Sequence, residues 1–193
     1  IRVIHEDKED FVWFGVPGGV ARYNGDKLRY FSAKQMGRRQ LWGAANIVSI
    51  LDGGNKGVWF IGGRGRRGFV QTDQIFRYKD DKFEHHSIRH PGAVIPGQST
   101  PSRRRGLNNL FTVDSEGNLW FANGSSLIKC DEKKCQLFTR NGWQALPRRS
   151  PDGGSLITAL HADTQGKIWF ANCDAGGKRS VCTNLNTFTT SEA

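Results

Sequence analysis

Arginine is the residue type in this sequence that has the clearest chemistry. Of the 17 arginines, 13 lie in stretches rich in glycine, proline or serine, such as QMGRRQLW, GGRGRRG, PSRRRG and ALPRRS. A guanidinium group is planar and always charged, and it donates paired hydrogen bonds to phosphate, sulfate or carboxylate. Two tryptophans in the same stretches add aromatic surfaces beside the cations. We therefore predict an anion-binding surface made of Arg38, Arg39, Trp42, Arg64, Arg66, Arg67, Arg103, Arg104, Arg105, Trp143, Arg148 and Arg149.

The residue types that catalyse reactions are arranged less favourably. His85 and His86 alternate along one strand and cannot both face one site, and His90 alone lies in a basic stretch. GGRGRRG lacks the lysine and hydroxyl residue that end a phosphate-binding loop. We predict a protein without catalytic residues, metal or cofactor.

The four cysteines allow two interpretations. Cys130 and Cys135 flank a four-residue turn, and Cys173 and Cys182 also bracket a turn, so a hairpin could bring each pair within disulfide distance. Free thiols in strands explain the spacing equally well. Disulfides would favour a periplasmic or extracellular location, and a cytoplasmic one stays open.

The elements that would position these residues belong to a fourfold repeat. Trp-Phe pairs begin at Trp13, Trp59, Trp120 and Trp169, spaced 46, 61 and 49 residues apart. An aspartate precedes the tryptophan by six residues in three copies and by seven in the second, where it is Asp52. Repeats of this length indicate solenoids, propellers or arrays. We set the repeats at about 1–46, 47–109, 110–155 and 156–193, within a single domain spanning 1–193.

Each repeat predicts four short strands. In the third copy they are residues 110–113, 118–122, 126–130 and 135–139. The column that aligns Tyr23, Tyr78, Cys130 and Cys182 places a hairpin within SVCTNLNTF, so the chain is expected to begin with a first strand and end just after a fourth. Stacked radially, four-stranded antiparallel blades make an all-β propeller, with each tryptophan packed between sheets.

The repeat also resembles a known family. Asp7, Trp13, Gly18-Gly19 and Tyr23 in the first copy fit the pattern of the two-component regulator propeller repeat. Asp114, Gly117 and Trp120, led in by Gly106-Leu107-Asn108-Asn109, fit it in the third. The resemblance covers nearly the whole chain and implies the extracytoplasmic sensor of a hybrid two-component system, in bacteria that use complex polysaccharides. A similar blade occurs in streptogramin lyases, which are enzymes.

Two features depart from that family. Its sensors have rings of seven blades followed by a membrane helix and a kinase, whereas this chain has four repeats and no apolar run long enough for a membrane segment. The first copy, Asp7-Lys8-Glu9-Asp10-Phe11, lacks the turn glycine, whose place we assign to Phe11. Three assemblies stay open: a closed four-bladed ring, a homo-oligomer, or a part of a larger propeller whose other blades are missing.

The strand order predicts a polarised charge distribution. The connections between the second and third strands and between repeats hold 15 basic residues and two acids, a net charge of +13. The opposite turns hold eight lysines and 13 acids, a net charge of −5. Polar loops and solubility alone would explain a net charge, but they explain less well why the arginines gather at one end.

These observations predict a sensor module that binds an anionic ligand, most simply an acidic or sulfated oligosaccharide. The basic segment 87–109, rich in proline and serine, is expected to act as a flap over the ligand. The alternatives are a propeller that binds nucleic acid or an acidic protein, and a lyase of the streptogramin lyase type.

Overall fold

The computed structural model describes residues 1–37, 46–64, 69–86, 110–123, 126–137, 155–174 and 181–189. These residues form only β-strands, turns and one 3₁₀ turn, so the protein is all-β as the sequence predicts. The chain divides into two compact units, Ile1–Ile88 and Arg89–Ala193. No helix among the described residues has the length and apolarity needed to cross a membrane.

The first unit contains two four-stranded antiparallel meanders, which we call sheet 1 and sheet 2. Sheet 1 consists of β1 (Val3–Glu6), β2 (Val12–Val16), β3 (Gly19–Tyr23) and β4 (Leu28–Ser32). Sheet 2 consists of β5 (Asn46–Asp52), β6 (Val58–Arg64), β7 (Phe69–Lys79) and β8 (Lys82–His86). Both follow the predicted first and second repeats.

The second unit contains sheets 3 and 4. Sheet 3 is a four-stranded meander of β9 (Phe111–Val113), β10 (Leu119–Asn123), β11 (Ser126–Cys130) and β12 (Cys135–Leu137), close to the predicted strands. Sheet 4 has three strands among the described residues: β13 (Ser155–Ala162), β14 (Lys167–Asp174) and β15 (Val181–Thr189).

The hairpin predicted within SVCTNLNTF is wrong, because β15 runs through it as one strand. β14 is eight residues long, and β15 pairs with it from Thr189 opposite Lys167 to Val181 opposite Asp174. The backbone hydrogen bonds of this long pairing keep residues 181–189 extended, so no turn forms among them. In β15 the residue opposite Ile168 is Phe188, so Phe188 rather than Cys182 is the counterpart of Tyr23, Tyr78 and Cys130. The last described strand is therefore a third strand.

The repeated aspartate holds the first turn and the tryptophan together. Asp114 is buried, and its Oδ1 accepts hydrogen bonds from the backbone N–H groups of Glu116 at 3.0 Å and Asn118 at 2.8 Å. Its Oδ2 accepts from the indole Nε1–H of Trp120 at 2.7 Å. One carboxylate thus satisfies the turn and fixes the tryptophan rotamer.

The same arrangement occurs in the first and fourth copies. The indole nitrogens of Trp13 and Trp169 donate to Oδ2 of Asp7 and Asp163 at 2.6 and 2.8 Å. In the first copy Asp10, at φ 61°, takes the left-handed position of the turn glycine. The prediction that Phe11 stands at this position is wrong by one residue toward the C-terminus. Aspartate is among the few residues that tolerate this conformation.

The second copy absorbs its extra residue in a 3₁₀ turn, Gly54–Lys56. Oδ1 of Asp52 accepts a hydrogen bond from the backbone N–H of Gly54 at 2.7 Å. Gly57 closes this turn at φ 86°, and a Cβ there would lie 2.2 Å from the carbonyl oxygen of Tyr78. Only glycine fits that position.

A pH dependence follows from the fourth copy. The indole N–H of Trp169, and after it the backbone N–H of Lys167, hold the pKa of the Asp163 carboxyl below its ordinary value. The carboxylate is therefore favoured in the folded state, and its stabilisation is complete above about pH 4 and is lost as the pH falls through the lowered pKa. We expect the stability difference between the wild type and Asp163→Asn to shrink steadily below about pH 4. Urea unfolding of both proteins at pH 7 and at acidic pH measures it, and a constant difference would contradict the expectation.

In each unit, the face of one sheet that carries the tryptophan packs against the opposite face of the next sheet. We call these the tryptophan face and the receiving face. Trp13 and Phe31 of sheet 1 pack with Val58, Phe60 and Tyr78 on the receiving face of sheet 2. The Trp13 ring lies 4.9 Å from both the Phe60 and the Tyr78 centroids.

The second unit repeats this packing. Trp120 of sheet 3 packs with Leu160, Ile168 and Phe170 on the receiving face of sheet 4. The backbone N–H of Ala162 also donates to Oγ1 of Thr112 at 3.0 Å, which aligns the turn-proximal ends of the two sheets. Each buried tryptophan is a structural residue, as the sequence predicts for the Trp-Phe repeat.

Candidate functional site

The meander order places two kinds of connection at opposite ends of every four-stranded sheet. The turns between first and second strands and between third and fourth strands lie at what we call the turn end. The connection between second and third strands lies at the loop end. In the first unit the turn ends of sheets 1 and 2 lie next to each other, because Oδ1 of Asp81 in sheet 2 lies 3.6 Å from Nη2 of Arg22 in sheet 1.

Carboxylates at the turn end are used by the turns themselves. Besides the aspartates bound to tryptophans, Asp131 Oδ1 accepts from the backbone N–H groups of Lys133 and Lys134 at 2.7 and 2.9 Å. Among the described residues, no group of three or more His, Cys, Asp or Glu side chains could hold a metal ion. The aspartates that make these hydrogen bonds therefore have a local structural role.

The arginine-bearing segments of the first unit begin and end at the loop end. Arg64 pairs with Phe69 at the last rung of the β6–β7 ladder, so residues 65–68 join the strands there. Segment 38–45 lies between β4, whose Ser32 pairs with Gly19 at the loop end, and β5, whose Asn46 pairs with Gly63. The described strands on either side of both arginine-bearing connections therefore end at the same end of their sheets.

The second unit has the same design. Residues before β9 and after β12 connect to the loop end, since Phe111 pairs with Phe121 and Leu137 with Ile128. Segment 138–154 leads from β12 into β13, whose Ser155 pairs with Asp174 at the loop end of sheet 4. This segment carries two of the predicted arginines and one predicted tryptophan.

The predicted binding side chains themselves lie outside the described residues. Arg64 is the exception in part, because its backbone ends β6. The others are Arg38, Arg39, Trp42, Arg66, Arg67, Arg103, Arg104, Arg105, Trp143, Arg148 and Arg149, and the predicted flap 87–109 and His90 are outside as well.

The cysteines and the other histidines can be placed. Cys130 and Cys135 pair across the β11–β12 hairpin and form a disulfide with Cα atoms 4.0 Å apart. Cys173 and Cys182 lie in β14 and β15, with side chains outside the described set. His5 and His161 pair with Trp13 and Trp169, so they occupy equivalent positions in the first and fourth copies. The His85 ring contacts Phe76 and the His86 ring contacts Trp59.

One cluster at the turn end of the first unit was missed by the sequence analysis. The Arg22 guanidinium carbon lies 4.3 Å from the Phe11 ring centroid and 5.5 Å from that of Trp13. Its Nη1 donates to the Tyr78 hydroxyl at 2.9 Å, and that hydroxyl donates to Asp81 Oδ1 at 2.5 Å. Arg22 therefore joins sheets 1 and 2 through aromatic and polar contacts together.

Burial and then the hydrogen bond to Asp81 raise the pKa of Tyr78 to about 12. The same hydrogen bond, before the charges of Arg22 and Arg29, lowers the pKa of Asp81. The tyrosine therefore stays a hydrogen-bond donor, and the carboxylate stays charged, throughout the neutral range. Arg22, Tyr78 and Asp81 are joined by hydrogen bonds and an ion pair, so the cluster has the character of a structural joint.

A signal for the cluster does exist in the repeat. A cation pairs across the sheet with the tryptophan in three copies: Arg22 with Trp13, Arg77 with Trp59, and Lys129 with Trp120. The cation lies 5.3 to 5.9 Å from the ring centroid in all three. Thr187 replaces the cation opposite Trp169.

Comparisons with known proteins found similar solved structures. No family model matches the chain, and no curated protein matches it. One of the similar structures is the extracellular domain of a hybrid two-component system from B. thetaiotaomicron, with 13% sequence identity and a TM-score of 0.38. The match covers 95% of this chain and only 29% of the other. At this identity and TM-score the likeness carries no inference about this chain.

Proposed function

We propose that the four sheets are blades of a β-propeller and that the protein is a non-catalytic sensor module outside the cytoplasm. Its ligand is an acidic oligosaccharide, with sulfated glycans as the best fit. The observation that supports this proposal is that the described strands beside the arginine-bearing segments end at the loop end, whereas the turn end carries aspartates that accept hydrogen bonds from the turns. The family pattern on Asp7, Trp13, Asp114 and Trp120 supports the sensor role.

Several arginines must act together at such a site. A single exposed ion pair contributes roughly 0.2–1 kcal/mol, which is too little for specific binding. Guanidinium forks on neighbouring segments can hold separate sulfate or carboxylate groups in bidentate fashion. Trp42 and Trp143 lie in the same segments and would stack on the sugar rings.

A comparison of three polyanions tests the nature of the ligand. We expect the protein to bind a sulfated oligosaccharide, to bind its desulfated counterpart at least roughly tenfold more weakly, and to bind DNA no better than the desulfated sugar. Isothermal titration at several salt concentrations measures all three. Binding to DNA of any sequence, with an affinity that falls steeply with salt, would instead support the nucleic-acid alternative.

A further inference from the structure

The receiving face of sheet 1 is exposed, although its counterpart in sheet 2 is buried. Ile4 pairs with Phe14 as Ile50 pairs with Phe60, and Tyr23 pairs with Leu28 as Tyr78 pairs with Phe83. Ile4 is 60% exposed and Ile50 only 4%.

The aromatic residues of the two faces show the same contrast. Tyr23 is 37% exposed and Tyr78 6%. Leu28 and Tyr30 on β4 are also exposed. Sheet 1 therefore has a face of the kind that takes Trp13 in sheet 2, and this face is uncovered.

The tryptophan face of sheet 4 is exposed in a complementary way. Trp13, Trp59 and Trp120 are fully buried, whereas Trp169 is half-buried. Its cross-strand neighbours His161 and Thr187 are exposed, and Ala159 on the same face is exposed too. Among the described residues, this is the tryptophan face that remains accessible.

We propose that the receiving face of sheet 1 binds the tryptophan face of sheet 4 from a second copy of this chain. Both packings within the units join these two kinds of face, with Trp13 on sheet 2 and Trp120 on sheet 4. Each copy supplies both faces at equal concentration, and burying exposed Ile4, Leu28 and Tyr30 removes apolar surface from water. The contact is head-to-tail, because the two copies contribute different faces to it.

The head-to-tail geometry gives a test by complementation. One variant, Leu28→Arg with Tyr30→Arg, blocks the receiving face, and another, Ala159→Arg with Thr187→Arg, blocks the tryptophan face. Light scattering should show that the mass of the wild type rises with concentration from the micromolar range upward and that each variant alone stays a monomer. An equimolar mixture should form a heterodimer, because one intact interface remains.

Charge and folding are controlled separately. Ser115→Arg with Thr164→Arg adds the same charge at exposed turn positions and should associate like the wild type. Circular dichroism checks the fold, and Leu28→Arg alone replaces the first variant if the pair unfolds. A wild type that is monomeric at every concentration would overturn the proposal, as would a mixture of the two blocked variants that stays monomeric.

Discussion

Asp114→Asn is expected to destabilise the second unit by about 2–4 kcal/mol. The buried carboxylate of Asp114 accepts hydrogen bonds on both oxygens, from the turn backbone on one and from Trp120 Nε1–H on the other. An amide has one oxygen and one NH₂ group. Whichever way it is oriented, a donor then faces a donor in a buried site.

Two further variants test whether the loss of the carboxylate's hydrogen bonds, rather than a general disruption of the fold, causes this destabilisation. Trp120→Phe removes the indole N–H that donates to Asp114. The double variant Asp114→Asn, Trp120→Phe should therefore lose less unfolding free energy than the sum of the two single losses, since both changes act on the same hydrogen bond. Asp163→Asn changes the same motif where the turn is only half-buried, so water can satisfy the donors and the loss should be smaller. Urea unfolding measures the free energies, with Ser115→Ala on the exposed turn as the control. An Asp114→Asn protein within about 0.5 kcal/mol of the wild type would contradict the role of the carboxylate.

Much of this architecture can be predicted from the sequence because it is local. In the third and fourth copies the aspartate, the turn glycine and the tryptophan lie within seven residues, and they specify one hairpin by themselves. The strands of sheet 3 were accordingly predicted almost to the residue. The role of Asp114 as the acceptor for Trp120 could have been inferred from the six-residue spacing that three copies share.

The hairpin wrongly predicted in the fourth copy shows where a local sequence pattern fails to predict the strands. The spacing from tryptophan to the Tyr78 position is 19 residues in the second copy, and Trp169 to Phe188 is also 19. The first and third copies have a spacing of ten, from Trp13 to Tyr23 and from Trp120 to Cys130. Comparison with the second copy rather than with these two would have identified Phe188.

The joint around Arg22 could not be predicted in the same way. Arg22 and Tyr78 are 56 residues apart, and their contact exists only because sheet 1 packs on sheet 2. Cross-strand pairing of Arg22 with Trp13 is visible from the repeat, but the partner sheet is not. The uncovered face of sheet 1 likewise required the comparison of Ile4 with Ile50 in three dimensions.

Reversing two of the proposed binding arginines, Arg104→Glu with Arg149→Glu, is expected to weaken binding of a sulfated oligosaccharide by about 100-fold or more. Two charge-assisted hydrogen bonds of about 1.5 kcal/mol each account for that factor, before repulsion by the new carboxylates is added. Lys56 and Lys133 belong to the turn end, where the acids outnumber the lysines. Lys56→Glu with Lys133→Glu changes the net charge of the protein by the same amount and is the matched control.

Titration of one sulfated oligosaccharide of defined length into the wild type and these two double variants, by calorimetry at a single ionic strength, is the most direct test of binding at the loop end. The account predicts that the Arg104→Glu, Arg149→Glu protein loses binding and that the Lys56→Glu, Lys133→Glu protein keeps the wild-type affinity within about threefold. Equal losses in both variants would mean that the ligand responds only to net charge, and would contradict a binding site at the arginine-bearing end.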